Sequence, residues 1–292
     1  MMTSPLVSVV ITTHQRELSM LYECLDSVMA QTYHPIEVIV VDDNPSAYAG
    51  KEALRSLPDR YAGLKLIQHK TNQGAQRSRN DGIDAAEGEF VAFLDDDDSW
   101  LPQKIEKQMP YFAQEDVGLV YCRGYLTHGG LTDHSEIDNK FFNPQCTHRS
   151  LLAFDDIGTT SQAIIRKACF AVVGHFDEMM PARQDYEMWL RISKAYRTVG
   201  CPDFLYVRRM HQRSGQISRS QQKAQEGALR IYEKYKAEYR KDRKIRALGY
   251  WQMGSHPLFE GTWFRRKYRL LALMTHPLII WKRIHGRAGI IL

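Results

Sequence analysis

Three short apolar runs each stop at a cluster of polar residues, and this pattern limits the possible folds more than any other feature of the chain. Val7 to Thr12 ends in Thr12-Thr13-His14, Ile36 to Val41 ends in Asp42-Asp43, and Phe90 to Leu94 ends in Asp95-Asp96-Asp97-Asp98. A fourth run covers Leu64 to Ile67. Helical spacing separates them. Leu18 to Gln31 places Leu21, Leu25, Val28 and Met29 on one face, and Gly74 to Ala86 turns Ala75, Ile83 and Ala86 inward. Continuous β-branched strands alternating with helices predict an α/β fold, with a mostly parallel central sheet and helices on both faces. Ligands of such sheets collect beyond the carboxyl ends of the strands, where the polar clusters fall.

The acidic run carries the sharpest chemistry. Four neighbouring carboxylates repel one another unless a cation or solvent offsets them. Oxygen-only ligands suit Mg2+ or Mn2+, which commonly act through a bound phosphate. A solvated acidic loop is the plainer reading, but the buried-type strand before the run and Trp100-Leu101-Pro102 after it weigh against that. Asp42-Asp43 is open to two readings, a contact to a nucleobase or ribose and a turn with Asn44-Pro45. Asn72-Gln73-Gly74 leads into a helix bearing Arg77, Arg79 and Asn80, a start that suits an anion and an arginine that reaches a diphosphate. Neither Gly-x-Gly-x-x-Gly nor the Walker pattern occurs, which disfavours dinucleotide oxidoreductases and P-loop ATPases. Asp185 opens Tyr186-Glu187-Met188-Trp189-Leu190-Arg191 as either a general base or a helix cap. His211, beside Arg208, Arg209 and Arg213, is either a metal or diphosphate contact or a surface histidine.

Along the rest of the chain a helix is predicted from Pro102 to Phe112 and a strand over Val117 to Tyr121. Residues 126–150 read as a long loop of the kind that forms lids. A short strand over Gln162 to Ile165, a helix near Lys167–Val173 and a helix over Asp185 to Tyr196 follow. Arg219 to about Leu248 reads as one long basic helix. Trp263 to Trp281 mixes Arg265-Arg266-Lys267 with apolar residues and is broken by Pro277. The five scattered cysteines fit a reducing compartment. No signal-peptide pattern opens the chain, and no apolar stretch approaches the ~18 residues of a membrane span. Charge is uneven. Residues 1–200 hold 19 Lys and Arg against 28 Asp and Glu, a net −9; residues 201–292 hold 20 against 6, a net +14. The basic end needs an anionic surface, a diphosphate-bearing substrate, nucleic acid or solvent.

The order of these motifs resembles that of the inverting, nucleotide-sugar-dependent GT-A glycosyltransferases of family two. The matching items are Val7 to Thr13, Ile39-Val40-Val41-Asp42-Asp43, Asn72-Gln73-Gly74 through Arg79-Asn80, Phe93 to Asp98 with Trp100-Leu101-Pro102, and Gln184 to Arg191, together covering about residues 5–195. The resemblance implies a GT-A nucleotide-diphospho-sugar transferase fold, with a nucleotide-sugar part over 1–100 and an acceptor and catalytic-base part over 101–215; beyond about residue 215 it says little, and the helical basic C-terminal extension over 216–292 is read from pattern and charge. It implies that Thr12, Thr13, His14 and Arg16 border the nucleotide, that Asp43 or Asp42 contacts the base, and that Asn72, Gly74 and Arg79 lie near the base or diphosphate. Asp95 and Asp97 become the Asp-x-Asp pair flanking Asp96, with Asp97 favoured for direct contact with Mn2+ or Mg2+. Asp185 becomes the catalytic base; His211, beyond the matched residues, stays a candidate metal ligand on the strength of its basic neighbours alone. Gln184 departs from the acidic residue that many members carry there.

The expected activity is transfer of a hexose, from UDP-glucose or UDP-galactose, to a hydroxyl of a saccharide acceptor on a polyprenyl diphosphate or glycolipid. The setting would be bacterial surface polysaccharide synthesis (lipopolysaccharide, O-antigen or capsule) on the cytoplasmic side of the plasma membrane. The basic C-terminal region would meet the anionic membrane surface, and no nucleic acid partner is expected. Sugar-phosphate nucleotidyl transfer and a non-catalytic nucleotide-binding membrane adaptor are the competing readings.

Overall fold

A computed structural model describes residues 4–130, 134, 136–138, 142–210 and 220–284. The chain divides into two compact units. One comprises Met1–Cys146, Ile157–Glu178 and Arg191–His211; the other comprises Thr147–Asp156, Met179–Leu190 and Gln212–Leu292.

The first unit begins as the apolar runs predict: β1 (Val7–Thr13), α1 (Leu18–Met29), β2 (Ile36–Asp42), two short helices α2 (Lys51–Arg55) and α3 (Leu57–Arg60), β3 (Lys65–Gln68), α4 (Ala75–Ala85) and β4 (Phe90–Asp95). β1 lies between β2 and β4, β3 flanks β2, and all of these pairs are parallel. Val7 to Ile11 are buried on both faces of the sheet, which is why alternation is missing from their sequence. α1 buries Leu21, Cys24, Leu25 and Val28 in the same core, while Met29 is exposed.

Next along the chain come β5 (Ser99–Trp100), α5 (Lys104–Gln108), β6 (Val117–Thr127), β7 (Glu136–Asp138), α6 (His148–Ala153), β8 (Ala163–Arg166), α7 (Ala168–Val173), α8 (Gln184–Ala195) and β9 (Arg197–Arg209). The sheet order is β3-β2-β1-β4-β8-β6-β9-β5, with β7 on the side of β6. Parallel pairing across β3-β2-β1-β4 gives way to a mixed region, in which β8 runs antiparallel to both β4 and β6 while β6 and β9 are parallel.

Several elements differ from the sequence reading for identifiable reasons. The helix predicted from Pro102 to Phe112 ends at Gln108 and tightens to a 3-10 turn over Met109–Ala113, where Pro110 lacks the N–H an α-helix needs. Residues 126–150 are not one loop, because they contain the end of β6, all of β7 and the start of α6. The last is capped reciprocally by Thr147 and Ser150. β9 is hidden in the sequence by Gly200, Pro202 and Asp203. The register jumps from Cys122↔Cys201 to Arg123↔Phe204, so Pro202 and Asp203 fall in a bulge where a proline costs no ladder bond.

In the second unit the predicted long basic helix is three: α9 (Gln221–Lys234), α10 (Lys236–Lys241) and α11 (Arg243–Met253). Asp242 forces the last break, because its carboxylate accepts the N–H groups of Lys244 and Ile245 and so starts a new helix. α12 (Trp263–Thr275) and α13 (Pro277–Ile284) complete the chain, with Pro277 in the first turn of α13. Ala224, Ala228, Met253, Phe259, Phe264 and Tyr268 form this unit's core.

Gly82 fixes how closely α4 approaches β1. A Cβ there would lie 2.3 Å from Val10 Cγ1. Gly82→Ala gains about 1 kcal/mol of helix propensity, against about 1–3 kcal/mol of overpacking. Net destabilisation is the expected outcome, read as a lower urea midpoint with an unchanged m-value. A raised midpoint would contradict this packing.

Candidate active site

Strand register brings the predicted residues to one edge. Thr13 pairs with Asp42 on one side of β1, and Thr12 pairs with Asp95 on the other. The polar ends of β1, β2 and β4 therefore lie side by side because the strands are parallel and in step.

Asp42 and Asp43 separate in role. Asp42 is fully buried; its carboxylate meets Lys51 Nζ at 2.7 Å and accepts from Asn44 N, Asn44 Nδ2 and Gln68 Nε2 at 2.8–2.9 Å. Burial alone pushes its carboxyl up, but the Lys51 and amide donors outweigh it and the net direction is down. Asp43 closes the turn that starts α4. Its Oδ1 accepts from Gln73 N at 2.7 Å and lies 2.8 Å from His69 Nδ1, and its Oδ2 accepts from Gly74 N at 2.8 Å. Gly74 has φ +92°, which favours glycine. The anion at this helix start is thus Asp43 itself. His14 Nδ1 lies 2.9 Å from Asp43 O, and Asn72 Nδ2 lies 3.0 Å from His14 Nε2, so His14, Asn72 and Gly74 converge around Asp43. His69 also meets Asp81 at 2.9 Å, and Arg77 meets Asp81 at 2.8 Å. His69, Gln73, Arg77, Asp81 and Glu178 line an open hollow of about 390 Å³. The sequence reading missed His69; its signal is the register Asp42↔Gln68, which puts the next residue opposite Asp43.

The acidic tip is braced by two arginines. Arg16 Nε meets Asp96 Oδ1 at 2.7 Å and Arg16 Nη2 meets Asp97 Oδ2 at 2.9 Å. Arg79 Nη2 meets Asp95 Oδ1 at 2.8 Å, and its Nη1 is buried without a hydrogen-bond partner. Arg79 is buried because the inward face of α4 is polar, consisting of Gln76, Ser78, Arg79 and Asn80 along with Gly82 and Ile83; Ala75, expected inward, is only half-buried. Asp98 is structural. Ser161 Oγ donates to its Oδ2 at 2.7 Å, and Arg209 N donates to its Oδ1 at 3.1 Å. Ser161 also accepts from Asp95 N, and Trp100 Nε1 donates to Ser161 O at 2.8 Å. Thr160 Oγ1 donates to Asp95 Oδ1 at 3.2 Å; Thr160 and Ser161, in a 3-10 turn ahead of β8, were invisible in the sequence because they reach the tip from far along the chain.

Asp185 lies in the other unit, in the first turn of α8, half-buried, with its Oδ1 accepting from Tyr186 N at 2.8 Å. The residue ahead of the helix, Arg183, has φ +61°, a strained conformation for a non-glycine residue. Glu187, fully buried one turn on, pairs with Lys234. His211 lies outside the described residues.

Residues 8–170 match the profile of the family described as Glycosyl transferase family 2, more than half of the chain. The chain belongs to this family. It is 29% identical over 231 residues to an uncharacterised glycosyltransferase of Methanocaldococcus jannaschii, covering 75% of each protein. It is 28% identical over 190 residues to an Escherichia coli protein named UDP-Glc:alpha-D-GlcNAc-diphosphoundecaprenol beta-1,3-glucosyltransferase WfgD, covering 65% of this chain and 70% of that one. Among solved structures, TarS of S. aureus superposes with a TM-score of 0.64 at 19% identity, covering 96% of this chain and 53% of that one. The mannosyltransferase PcManGT of Pyrobaculum calidifontis, in complex with GDP-Man and Mn2+, gives 0.57 at 18% identity, covering 98% of this chain and 76% of that one. Likeness at these identities establishes the fold, which is GT-A. Sugar transfer, not nucleotidyl transfer or adaptor binding, is the reaction class of this glycosyltransferase.

The acidic tip fits a divalent ion by donor chemistry. Asp95 and Asp97 offer oxygen only, and their side chains are 34% and 12% exposed while Asp96 is buried. Among the described residues no group of three or more His, Cys, Asp or Glu converges on one point. Two carboxylates suffice for Mg2+ or Mn2+ when substrate phosphates complete the shell.

Asp96 gives this tip a pH signature. Burial, with Asp97 alongside, pushes its carboxyl up to about 7 against the opposing pull of Arg16. A carboxyl raised on folding keeps its proton in the native state while the unfolded chain has lost it. Its contribution to stability is therefore fully present below the unfolded value near 4 and declines as pH rises towards 7. Asp96→Asn removes that slope. Its melting temperature relative to the parent should rise between pH 5 and pH 7 and level off above, as read by calorimetry in metal-free buffer. A difference independent of pH would contradict the assignment.

Proposed function

We propose that this glycosyltransferase is an inverting enzyme. It moves a hexose from a UDP-sugar, UDP-glucose or UDP-galactose, to a hydroxyl of a saccharide carried on a polyprenyl diphosphate or related glycolipid, in the synthesis of a bacterial surface polysaccharide such as O-antigen. The observation that carries the reading is the shared sheet edge, where Asp43 and Asp97 lie just past the ends of β2 and β4, Asp95 closes β4 and Arg79 reaches it from α4. The printed name of the Escherichia coli relative, a transfer from UDP-Glc to a diphosphoundecaprenol-linked sugar, supports both the donor and the acceptor.

Each residue then has a task. Thr12, Thr13, His14 and Arg16 border the nucleotide. Asp43 reads the base from a turn shaped by Asn72 and Gly74, whereas Asp42, saturated by Lys51, Asn44 and Gln68, holds the strand end. Arg79 has an unused Nη1 donor for the diphosphate. Mn2+ or Mg2+ held by Asp95 and Asp97 would supply positive charge against the departing nucleoside diphosphate. Asp185 takes the proton of the acceptor hydroxyl as that oxygen attacks the anomeric carbon from the face opposite the diphosphate. One such displacement inverts the centre through an oxocarbenium-like transition state. The +14 charge of residues 201–292 holds the protein on the cytoplasmic face of the plasma membrane, beside its anionic acceptor.

A donor panel with divalent metal, scored by nucleoside diphosphate release with and without lipid-linked sugars, tests the reading. Acceptor-dependent release from UDP-glucose or UDP-galactose is expected, and release from neither would contradict the donor assignment. Asp185→Asn should lower kcat by about 100- to 10,000-fold, the usual span for a general base. Its UDP affinity should stay within about a factor of two, since a lost base leaves ground-state binding intact. Turnover that survives this change would remove Asp185 from the mechanism.

A further inference from the structure

We propose that α12 and α13 lie flat on an anionic lipid bilayer and dock through a second apolar face on each helix; the biological point of this docking rests on the lipid-linked acceptor proposed above. A helix at the surface of a globular unit needs one apolar face, turned to the core. α12 spends one on the core through Phe264, Tyr268 and Ala272. It carries another in Trp263, Leu270 and Met274, which are 71%, 58% and 69% exposed and recur at i, i+7 and i+11. α13 repeats the arrangement, burying Ile279 and Ile280 and exposing Leu278, Trp281 and Ile284. Large apolar side chains grouped this way mark an interaction surface.

Charge identifies the occupant. Residues 263–284 contain six Lys and Arg and no Asp or Glu. Arg266, Lys267 and Lys282 are exposed beside the apolar faces. Pairing with a second copy would set cation against cation, whereas anionic headgroups complement the surface and let the basic side chains reach up past the inserted apolar ones. Tryptophans at Trp263 and Trp281 suit the headgroup boundary. The helices have 13 and 8 residues, short of the roughly 20 that span a bilayer. Among the described residues no helix is long and apolar enough to cross one. An interfacial mode, with apolar side chains inserted and the helix axis in the membrane plane, is what remains.

The test is co-sedimentation of the full chain with phosphatidylglycerol vesicles and with phosphatidylcholine vesicles. The variants are an apolar triple (Trp263→Ser, Leu270→Ser, Met274→Ser) and a charge triple (Arg266→Gln, Lys267→Gln, Lys282→Gln). The parent should bind phosphatidylglycerol vesicles and release them at high salt, and each triple should bind about tenfold or more weakly. UDP affinity measured by calorimetry, and transfer to a water-soluble acceptor, should be unchanged in both, which shows that the fold is intact. Vesicle binding that is absent in the parent, or equally strong in the apolar triple, would overturn the proposal. So would a parent dimer that becomes monomeric in the apolar triple by light scattering, because a second copy would then own the face. Failure of the parent to transfer sugar to any acceptor while vesicle binding follows the expected pattern would count against the transferase reading alone.

Discussion

Consecutive carboxyl groups must each be offset where they stand, by a cation, by hydrogen bonds or by a retained proton, and the organisation of the first unit follows from how this is done at Asp95 to Asp98. Arg16, just beyond β1, takes Asp96 and Asp97; Arg79, from α4, takes Asp95; Ser161 and the Arg209 amide take Asp98. Each donor comes from a different part of the chain. The acidic tip can therefore form only when β1, α4, β8 and β9 are in place around β4. Burying one ion pair adds little net stability, because desolvation cancels much of the attraction. What such pairs do is fix geometry, and here they hold two partly exposed carboxylates at the sheet edge.

The same logic runs through the neighbouring turn. Asp43 is tied to the amides that open α4, and the helix in turn points Arg79 back at Asp95. Gly82 lets α4 sit against Val10, so the distance from helix to sheet, and with it the reach of Arg79, is set by a missing side chain. Two clusters that look separate in the sequence are thus linked through the first turns of one helix.

Legibility of the fold tracked burial. β1, β2 and β4 were readable because strands covered on both faces are written as unbroken apolar runs, and the half-buried edge strand β3 was readable from its short Leu66-Ile67 centre. β9 was not, because its bulge admits Pro202 and Asp203, residues that ordinarily mark a turn. The basic helices were readable as helices but not as three, since a break made by the Asp242 side chain leaves the 3.6-residue pattern almost intact. Of the candidate site residues, Thr12, Thr13, Asp43, Asp95 and Asp97 lie at or next to strand ends, as their places after apolar runs predict. The sequence could not divide the work of Asp42 and Asp43, because the difference is Lys51, which reaches Asp42 through tertiary packing. His69, Thr160 and Ser161 were missed for the same reason. The polar inner face of α4 reversed the expectation for Ala75: the helix buries Gln76, Ser78, Arg79 and Asn80 in place of alanines.

The proposed role of Asp95 and Asp97 is to bind, together with a divalent ion, the diphosphate of an activated sugar. Isothermal calorimetry of UDP in the presence of Mn2+ tests it most directly, comparing the parent with the double variant Asp95→Asn, Asp97→Asn. Loss of UDP affinity by about tenfold or more, with the Mn2+ dependence of binding abolished, is the expected result. Equal affinity with undiminished Mn2+ dependence would contradict it.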